Sequence, residues 1–197
     1  MKTKNKKIKT FTGKLVDPMA MTPDDVDIVD IAHALSNECR YAGHCEKFFS
    51  VAAHSLNVAR DVWLQTQDIE STFIALLHDA SEAYLKDMPT PVKWRMKNYI
   101  AAEQRLLKVI ARKFNIKSFI KGYVKDSDRH ELLAEQAGFR ESLATPAEIE
   151  DAFLRTFYYL QKRREEPDVT PMVRRDVTKI LWGHAFPKMV VRSGLQD

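Results

Sequence analysis

The sequence predicts an all-α fold, a compact helical bundle with at most a short N-terminal strand or hairpin. Three observations predict it. Apolar residues recur at three- and four-residue spacing through most of the chain, which is the stripe of an amphipathic helix. Glycine is scarce, six in 197 residues, so long stretches carry no breaker. Few segments alternate with a period of two for long enough to build a sheet.

Residues 1–22 read as an irregular, basic N-terminal segment, and residues 23–197 as one domain. Lys2, Lys4, Lys6, Lys7 and Lys9 make a solvated tail, and Phe11 to Val16 reads as a short strand or hairpin arm. Asp24 or Asp25 is placed to cap a helix carrying Ile28, Ile31, Ala32 and Leu35. After a turn near Gly43, Phe49 to Leu64 and Ile69 to Tyr84 read as two helices, the second with the stripe Phe73, Leu76, Leu77, Ala80 and Tyr84. Pro89 and Pro91 break the chain. Helices then run from Lys97 to Phe114, from Val124 to Ala137 ahead of Gly138, and from Pro146 through Leu160, where proline suits a first turn. Lys162, Arg163 and Arg164 suit the C-terminal end of that last helix. One more helix, Met172 to Trp182, is expected in the tail.

Composition narrows the classes. Hydrophobic residues are 45% of the chain and charged residues 29%, as in an ordinary globular protein. The net charge of +4, from 31 cationic and 27 anionic residues, lacks the clustered excess of a dedicated nucleic-acid binder, so no stable nucleic-acid complex is expected. Cys39 and Cys45 match neither a zinc knuckle nor a disulfide framework. No apolar run reaches membrane-spanning length, and no apolar stretch follows the basic N-terminus as in a signal peptide. These features together predict a cytoplasmic protein.

The chemistry centres on histidine and carboxylate. Of His33, His44, His54, His78, His130 and His184, His78 differs by its company. It is followed at once by Asp79 at the end of the apolar stripe Phe73-Ile74-Ala75-Leu76-Leu77. Burying such a pair without a partner is expensive, and a divalent cation is a natural partner. Glu82 lies three and four residues further on, the spacing of one helix face, and suits a general acid or base. Its plain alternative is a surface glutamate supporting the helix. Two ligands hold a metal poorly, so His54 on the preceding helix and Asp128 are further candidates. Asp126 and Asp128 also fit the plain role of capping a helix start. His33 reads as a packed residue of its helix, and His44 as a loop residue and candidate substrate contact. His130-Glu131 does not extend to HExxH, since Ala134 stands at the needed position. No GxSxG, GxxxxGK[ST] or GxGxxG occurs, so serine-hydrolase, P-loop and Rossmann readings lack support.

The order His54, His78-Asp79, Asp128 resembles the H…HD…D signature of the HD-domain phosphohydrolase superfamily. The strings Asp27 to Ser36, Cys39-Arg40-Tyr41, Gly43-His44-Cys45, Ser50 to Ser55, His78 to Tyr84 and Asp87-Met88-Pro89-Thr90-Pro91-Val92-Lys93 are similar to its YfbR/YfdR-type bacterial and phage branch. The resemblance spans about residues 10 to 140. It implies an HD-type helical bundle with His54, His78, Asp79 and Asp128 as metal ligands and Glu82 as the catalytic carboxylate. It implies Arg40 and Tyr41 as phosphate and sugar contacts, although Tyr41 departs from the Trp of the deoxynucleotide-cleaving relatives and leaves sugar or base preference open. It also implies Asp87 as a pocket residue near the sugar and Lys93 as a further phosphate contact.

The expected activity is therefore metal-dependent hydrolysis of a deoxynucleotide. Either phosphate leaves a deoxynucleoside 5′-monophosphate, as in the 5′-nucleotidases, or triphosphate leaves a dNTP, as in the DatZ-like phage branch that acts on dATP. Other substrates (a cyclic nucleotide or a guanosine polyphosphate) and a non-catalytic nucleotide-binding module are the alternatives. The mixed N/O ligand set suits Zn, Co, Mn, Fe or Ni, with Mg also admissible. The ion would polarise a phosphoryl oxygen and acidify a water while Glu82 manages the proton and Arg40 grips phosphate. The resemblance also implies a homo-oligomer. Ile180-Leu181-Trp182 and Phe186 offer an apolar surface for self-association, or equally a cap on the monomer's own core.

Overall fold

The computed structural model describes residues 6–119, 122–138, 140–142, 144–166 and 189–191. They form a helical bundle with a small antiparallel hairpin at the N-terminal end. The hairpin pairs β1 (Ile8–Lys9) with β2 (Leu15–Val16), Ile8 opposite Val16. Phe11 to Lys14, expected as strand, is instead the turn. Gly13 supplies its left-handed residue at φ 90°, a conformation costly for other side chains. Thr12 donates to both carboxylate oxygens of Asp30, at 2.7 and 2.9 Å, and ties the hairpin to the first helix. Val16 and Met21 are buried in the common core, so the part of the segment from the hairpin onward is integral to the fold.

Helix α1 (Ile28–Asn37) is capped by Asp27, which accepts from the Val29 N–H at 3.0 Å. Asp24 and Asp25 do not cap it, because the Asp25 carboxylate is occupied by the Thr22 N–H and hydroxyl, both at 2.8 Å. A tight turn, Arg40–Gly43, leads on to α2 (Val51–Thr66), whose cap Ser50 accepts from Ala53 N–H at 3.1 Å. Asp68 caps α3 (Ile69–Leu76) through the Ser71 N–H at 2.8 Å.

The helix expected from Ile69 to Tyr84 does not run through. It stops at Leu76, and the chain passes through turns over residues 77–81 into the short α4 (Glu82–Leu85). The N–H groups of Leu77, Ala80 and Glu82 each reach back three residues, to Ile74, Leu77 and Asp79. Such tight steps replace the four-residue ladder of an α-helix. Thr90–Lys93, expected as a break, forms the single turn α5 with Pro91 in its first turn, where a missing N–H costs nothing.

Helices α6 (Lys97–Lys113), α7 (Gly122–Gln136) and α8 (Pro146–Glu165) complete the bundle. Thr145 and Glu148 make a reciprocal capping box on α8. A second antiparallel pair, β3 (Arg140–Ser142) with β4 (Met189–Val191), was not foreseen in the sequence. The expected helix Met172–Trp182, with Ile180, Leu181, His184 and Phe186, lies outside the described residues. No helix among the described residues is long and apolar enough to cross a membrane.

Helix α2 runs through the middle, packed by α1, α3, α7 and α8. Every residue from Val51 to Ala59 is therefore buried, polar ones included. Beside it, Phe73 of α3 meets Phe157 of α8 at 5.3 Å between ring centres, and Phe114 meets the same ring edge-on at 5.1 Å. Arg164, near the end of α8, lies over Phe73 at 4.3 Å and pairs with Glu70 while donating to the Phe114 and Asn115 carbonyls. The Phe157 ring thus joins three helices, and Phe157→Ala should cost about 3–5 kcal/mol. Denaturant unfolding measures it. A loss below about 1 kcal/mol would mean the ring is not a principal core contact.

Candidate metal centre

Four side chains meet where α2, the turns after α3, and α7 converge. His54 comes from the first turn of α2 with no exposure at all. His78 and Asp79 come from the turns that end α3, and Asp128 from the second turn of α7. Asp128 is therefore inside a helix, and the capping role considered for it is excluded. The break in the predicted Ile69–Tyr84 helix also changes how Glu82 arrives. It shares no helix face with His78 but is delivered by the tight turn from Asp79.

The ligand atoms of His54, His78 and Asp79 all lie within 4.8 Å of one another. Asp79 Oδ2 is 3.2 Å from His78 Nε2 and 3.8 Å from His54 Nε2. Asp128 Oδ1 closes another side, at 3.0 Å from His54 Nε2 and 3.7 Å from His78 Nε2. Bonds of about 2.0–2.1 Å in a tetrahedral shell put neighbouring donors about 3.4 Å apart. These spacings straddle that value.

Hydrogen bonds behind the rings fix which nitrogen faces inward. His78 Nδ1 donates to the Ala75 carbonyl at 2.7 Å. A carbonyl can only accept, so Nδ1 carries a proton, and in the neutral ring the Nε2 lone pair points into the cluster. That Nε2 is buried and makes no aligned hydrogen bond, although Asp79 Oδ2 lies 3.2 Å away. His54 Nδ1 faces Glu135 Oε1 at 2.7 Å, again leaving Nε2 for the cluster. A second ring nitrogen held by carbonyl or carboxylate is the usual support of a metal-binding imidazole. The residues therefore fit a divalent cation, and the buried His78 Nε2 without an aligned hydrogen bond is the observation that tests the fit.

The charges point the same way. Burial and the Arg40 guanidinium disfavour the His54 imidazolium, yet the Asp128 and Glu135 carboxylates outweigh them and raise its pKa. Burial also opposes charge on His78, but Asp79 and Asp128 hold its pKa well above the ordinary value. Burial would raise Asp79, while His78 and His54 pull it down to about 2. Asp128 is likewise held below the carboxylate range by the two imidazoles against its burial. Protons here do the work that a cation would do.

Glu82 is buried, and its Oε2 has no hydrogen-bond partner. Burial first, and then Asp79 and Asp87, push its pKa well above the ordinary glutamate value. Arg40 is buried too. Its Nε donates to Glu135 Oε2 at 2.9 Å, and its Nη1 lies 4.0 Å from Asp79 Oδ2. The Tyr41 hydroxyl donates to the same Glu135 oxygen at 2.7 Å. Tyr41 and Ala42 sit in the left-handed region, φ 57° and 53°, which costs roughly 1–2 kcal/mol per residue. The ladder Arg40 N–H to Phe49 carbonyl and Val51 N–H to Glu38 carbonyl, at 2.9 and 3.0 Å, holds that turn closed.

Asp87 is half-buried. Its N–H is bound by the buried Glu38 carboxylate at 2.8 Å, and burial raises its own pKa despite Arg40. Lys93 faces the same region but is ion-paired with Glu103 and lies over the Tyr99 ring at 5.8 Å. His44 closes the tight turn through its N–H to the Tyr41 carbonyl, and its side chain is exposed. No described contact joins the His44 ring to the cluster. His33 is set apart, stacked on Phe11 at 3.7 Å and paired with Glu150 at 3.0 Å. Both cysteines are free thiols.

Glu135 was missed in the sequence. It gathers His54, Arg40 and Tyr41 on one carboxylate whose side chain is only 3% exposed. Its signal was its spacing. Seven residues after Asp128 is two helical turns, hence the same face. Glu135→Gln should weaken binding of a divalent ion by about 10–100-fold, read by calorimetric titration. Unchanged affinity would show that Glu135 does not support His54 as a ligand.

A pH dependence follows. Raised imidazole pKa values give the metal-free chain a stabilisation fully present below about pH 6.5 and lost as pH rises through the folded values. A bound divalent ion replaces those protons, so its gain in melting temperature should be larger at about pH 8 than at about pH 6. Melting curves of chelated and zinc-loaded protein check this. Equal gains at both values would mean that proton and cation do not compete.

No protein-family model matches the chain. It is 39% identical over 129 residues to YfdR of Escherichia coli strain K12, described as uncharacterised, covering 66% of this chain and 70% of that protein. It is 35% identical over 146 residues to another uncharacterised protein, from Rhodobacter capsulatus, covering 68% and 74%. The chain belongs to the same family as YfdR.

Proposed function

We propose that this protein is an HD-domain, metal-dependent phosphohydrolase acting on deoxynucleotides. One observation carries the reading. The Nε2 atoms of the fully buried His54 and the largely buried His78 both lie within 4 Å of Asp79 and Asp128, and Glu82, whose buried Oε2 makes no hydrogen bond, lies nearby. Membership of the HD superfamily and the deoxynucleotide substrate rest on the resemblance of the H…HD…D order and the Asp87–Lys93 string. His54, His78, Asp79 and Asp128 would hold the ion. When bound, the ion supplies a Lewis acid that polarises a phosphoryl oxygen and makes water a better nucleophile.

The chain's own groups divide the rest. Arg40 remains cationic, since Glu135 and Asp79 outweigh its burial. Its Nε is fixed by Glu135, which leaves the Nη side to take phosphate oxygens in a planar grip that lysine would not match. Glu82 keeps a proton to a higher pH than an ordinary glutamate, because its charged form is disfavoured by burial and by Asp79 and Asp87. It can therefore donate that proton to the leaving oxygen. Asp87, half-buried, is the residue that the resemblance assigns to a sugar hydroxyl, and Lys93 adds positive charge beside Glu82.

Product analysis with deoxy- and ribonucleoside mono- and triphosphates tests the proposal. Free phosphate from monophosphates identifies a 5′-nucleotidase, and intact triphosphate plus nucleoside identifies a triphosphohydrolase. Glu82→Gln should lower turnover by about 10²–10⁴-fold while leaving bound metal per chain unchanged. No product with any divalent ion would overturn the enzyme reading in favour of a nucleotide-binding module.

A further inference from the structure

A second group of ligating side chains lies on the same pair of helices, outside the centre described above. Asp61 of α2 and His130 and Glu131 of α7 bring one ligand atom each within 4.8 Å of one another. Asp61 stands seven residues after His54, two turns along α2, or about 10 Å of helix rise. His130 and Glu131 follow Asp128 on α7 by two and three residues. The two groups are therefore successive stations along one helix–helix seam.

The spacing is that of loose ion pairs and leaves room for a shared cation. His130 Nδ1 is 3.4 Å from Asp61 Oδ2 and 4.0 Å from Glu131 Oε1. Both exceed the usual N–H···O range of about 2.7–3.2 Å. The first equals the edge of about 3.4 Å expected between neighbouring donors around a tetrahedral ion with bonds near 2.1 Å. Glu131 is buried and Asp61 largely so, while the His130 ring is exposed. An ion arriving from solvent would meet the imidazole first and two sheltered carboxylates behind it. Asp61 is already oriented, because its Oδ2 accepts from Gln65 Nε2 at 2.9 Å, and Gln65 also donates to the buried Ser127 hydroxyl at 3.1 Å. A hydrogen bond that aims a ligating carboxylate is the usual support of a metal site.

We propose that Asp61, His130 and Glu131 form a second divalent-cation site, of the zinc class, that clamps α2 to α7. One imidazole and two carboxylates are a borderline donor set, suited to zinc and poorly suited to magnesium, which prefers an octahedron of oxygens. By joining the two helices that carry His54, Asp128 and Glu135, the ion would hold their relative register.

The test is bound zinc per chain. The full chain is stripped with chelator, dialysed against zinc on the order of 10 μM, and analysed by atomic emission. His130→Gln and Asp61→Asn should each carry one zinc fewer than the native protein, with unchanged circular dichroism. His130 is exposed, so its replacement leaves the fold intact. Identical zinc content in native and variant proteins would overturn the proposal and leave Asp61 and His130 as an ordinary ion pair. His78→Ala, measured in parallel, reports on the first centre alone, so the failure of either site is visible without the other.

Discussion

A fully buried imidazole on the central helix is the constraint around which the rest is arranged. His54 has no exposure, and both of its ring nitrogens need partners. Glu135 answers one and the Asp79–Asp128 pair the other. Glu135 is then itself a buried carboxylate that needs company, which Arg40 and Tyr41 supply, while the more exposed Asp79 and Asp128 lie against both imidazoles. Removing one member leaves its neighbours unpaired in a medium where that is expensive. The site is thus part of the core and not an addition to its surface.

Such an arrangement has its cost at the edges. The turn Arg40–Gly43 accepts two consecutive non-glycine residues in the left-handed region so that Arg40 and Tyr41 both reach Glu135. Strain of this kind persists where surrounding contacts over-determine it, and here two backbone hydrogen bonds and two side-chain bonds do so. His78 Nε2 and Glu82 Oε2 make no aligned hydrogen bond inside the same region. Stability has been given up at several neighbouring atoms, which is the pattern of a site organised for a ligand.

Much of this was legible in the chain. The bundle followed from the apolar stripes, because three- and four-residue spacing survives any choice of neighbours. His54, His78, Asp79 and Asp128 converge as their order in the chain suggested. What escaped was set by tertiary demands. The helix stripe continues smoothly through Leu77 and Ala80, so nothing local announces that the backbone stops being helical at Leu76. Asp27 caps α1 only because Asp25 is engaged elsewhere, a competition that composition does not reveal. Glu135 lay within reach of the same reasoning that found Glu82, but its partners come from elements 81 to 95 residues away.

The early end of α3 has a consequence for the identity of one proton. In a continuous helix the Ala75 carbonyl would be engaged by the N–H four residues ahead, along the helix axis. Because the helix ends first, that carbonyl turns its lone pair to the ring of His78 and fixes the proton on Nδ1. A break in backbone regularity thus sets a tautomer, and the tautomer decides which face of the imidazole is nucleophilic. The tight turns after Leu76 are in this sense an electronic device written in main-chain geometry.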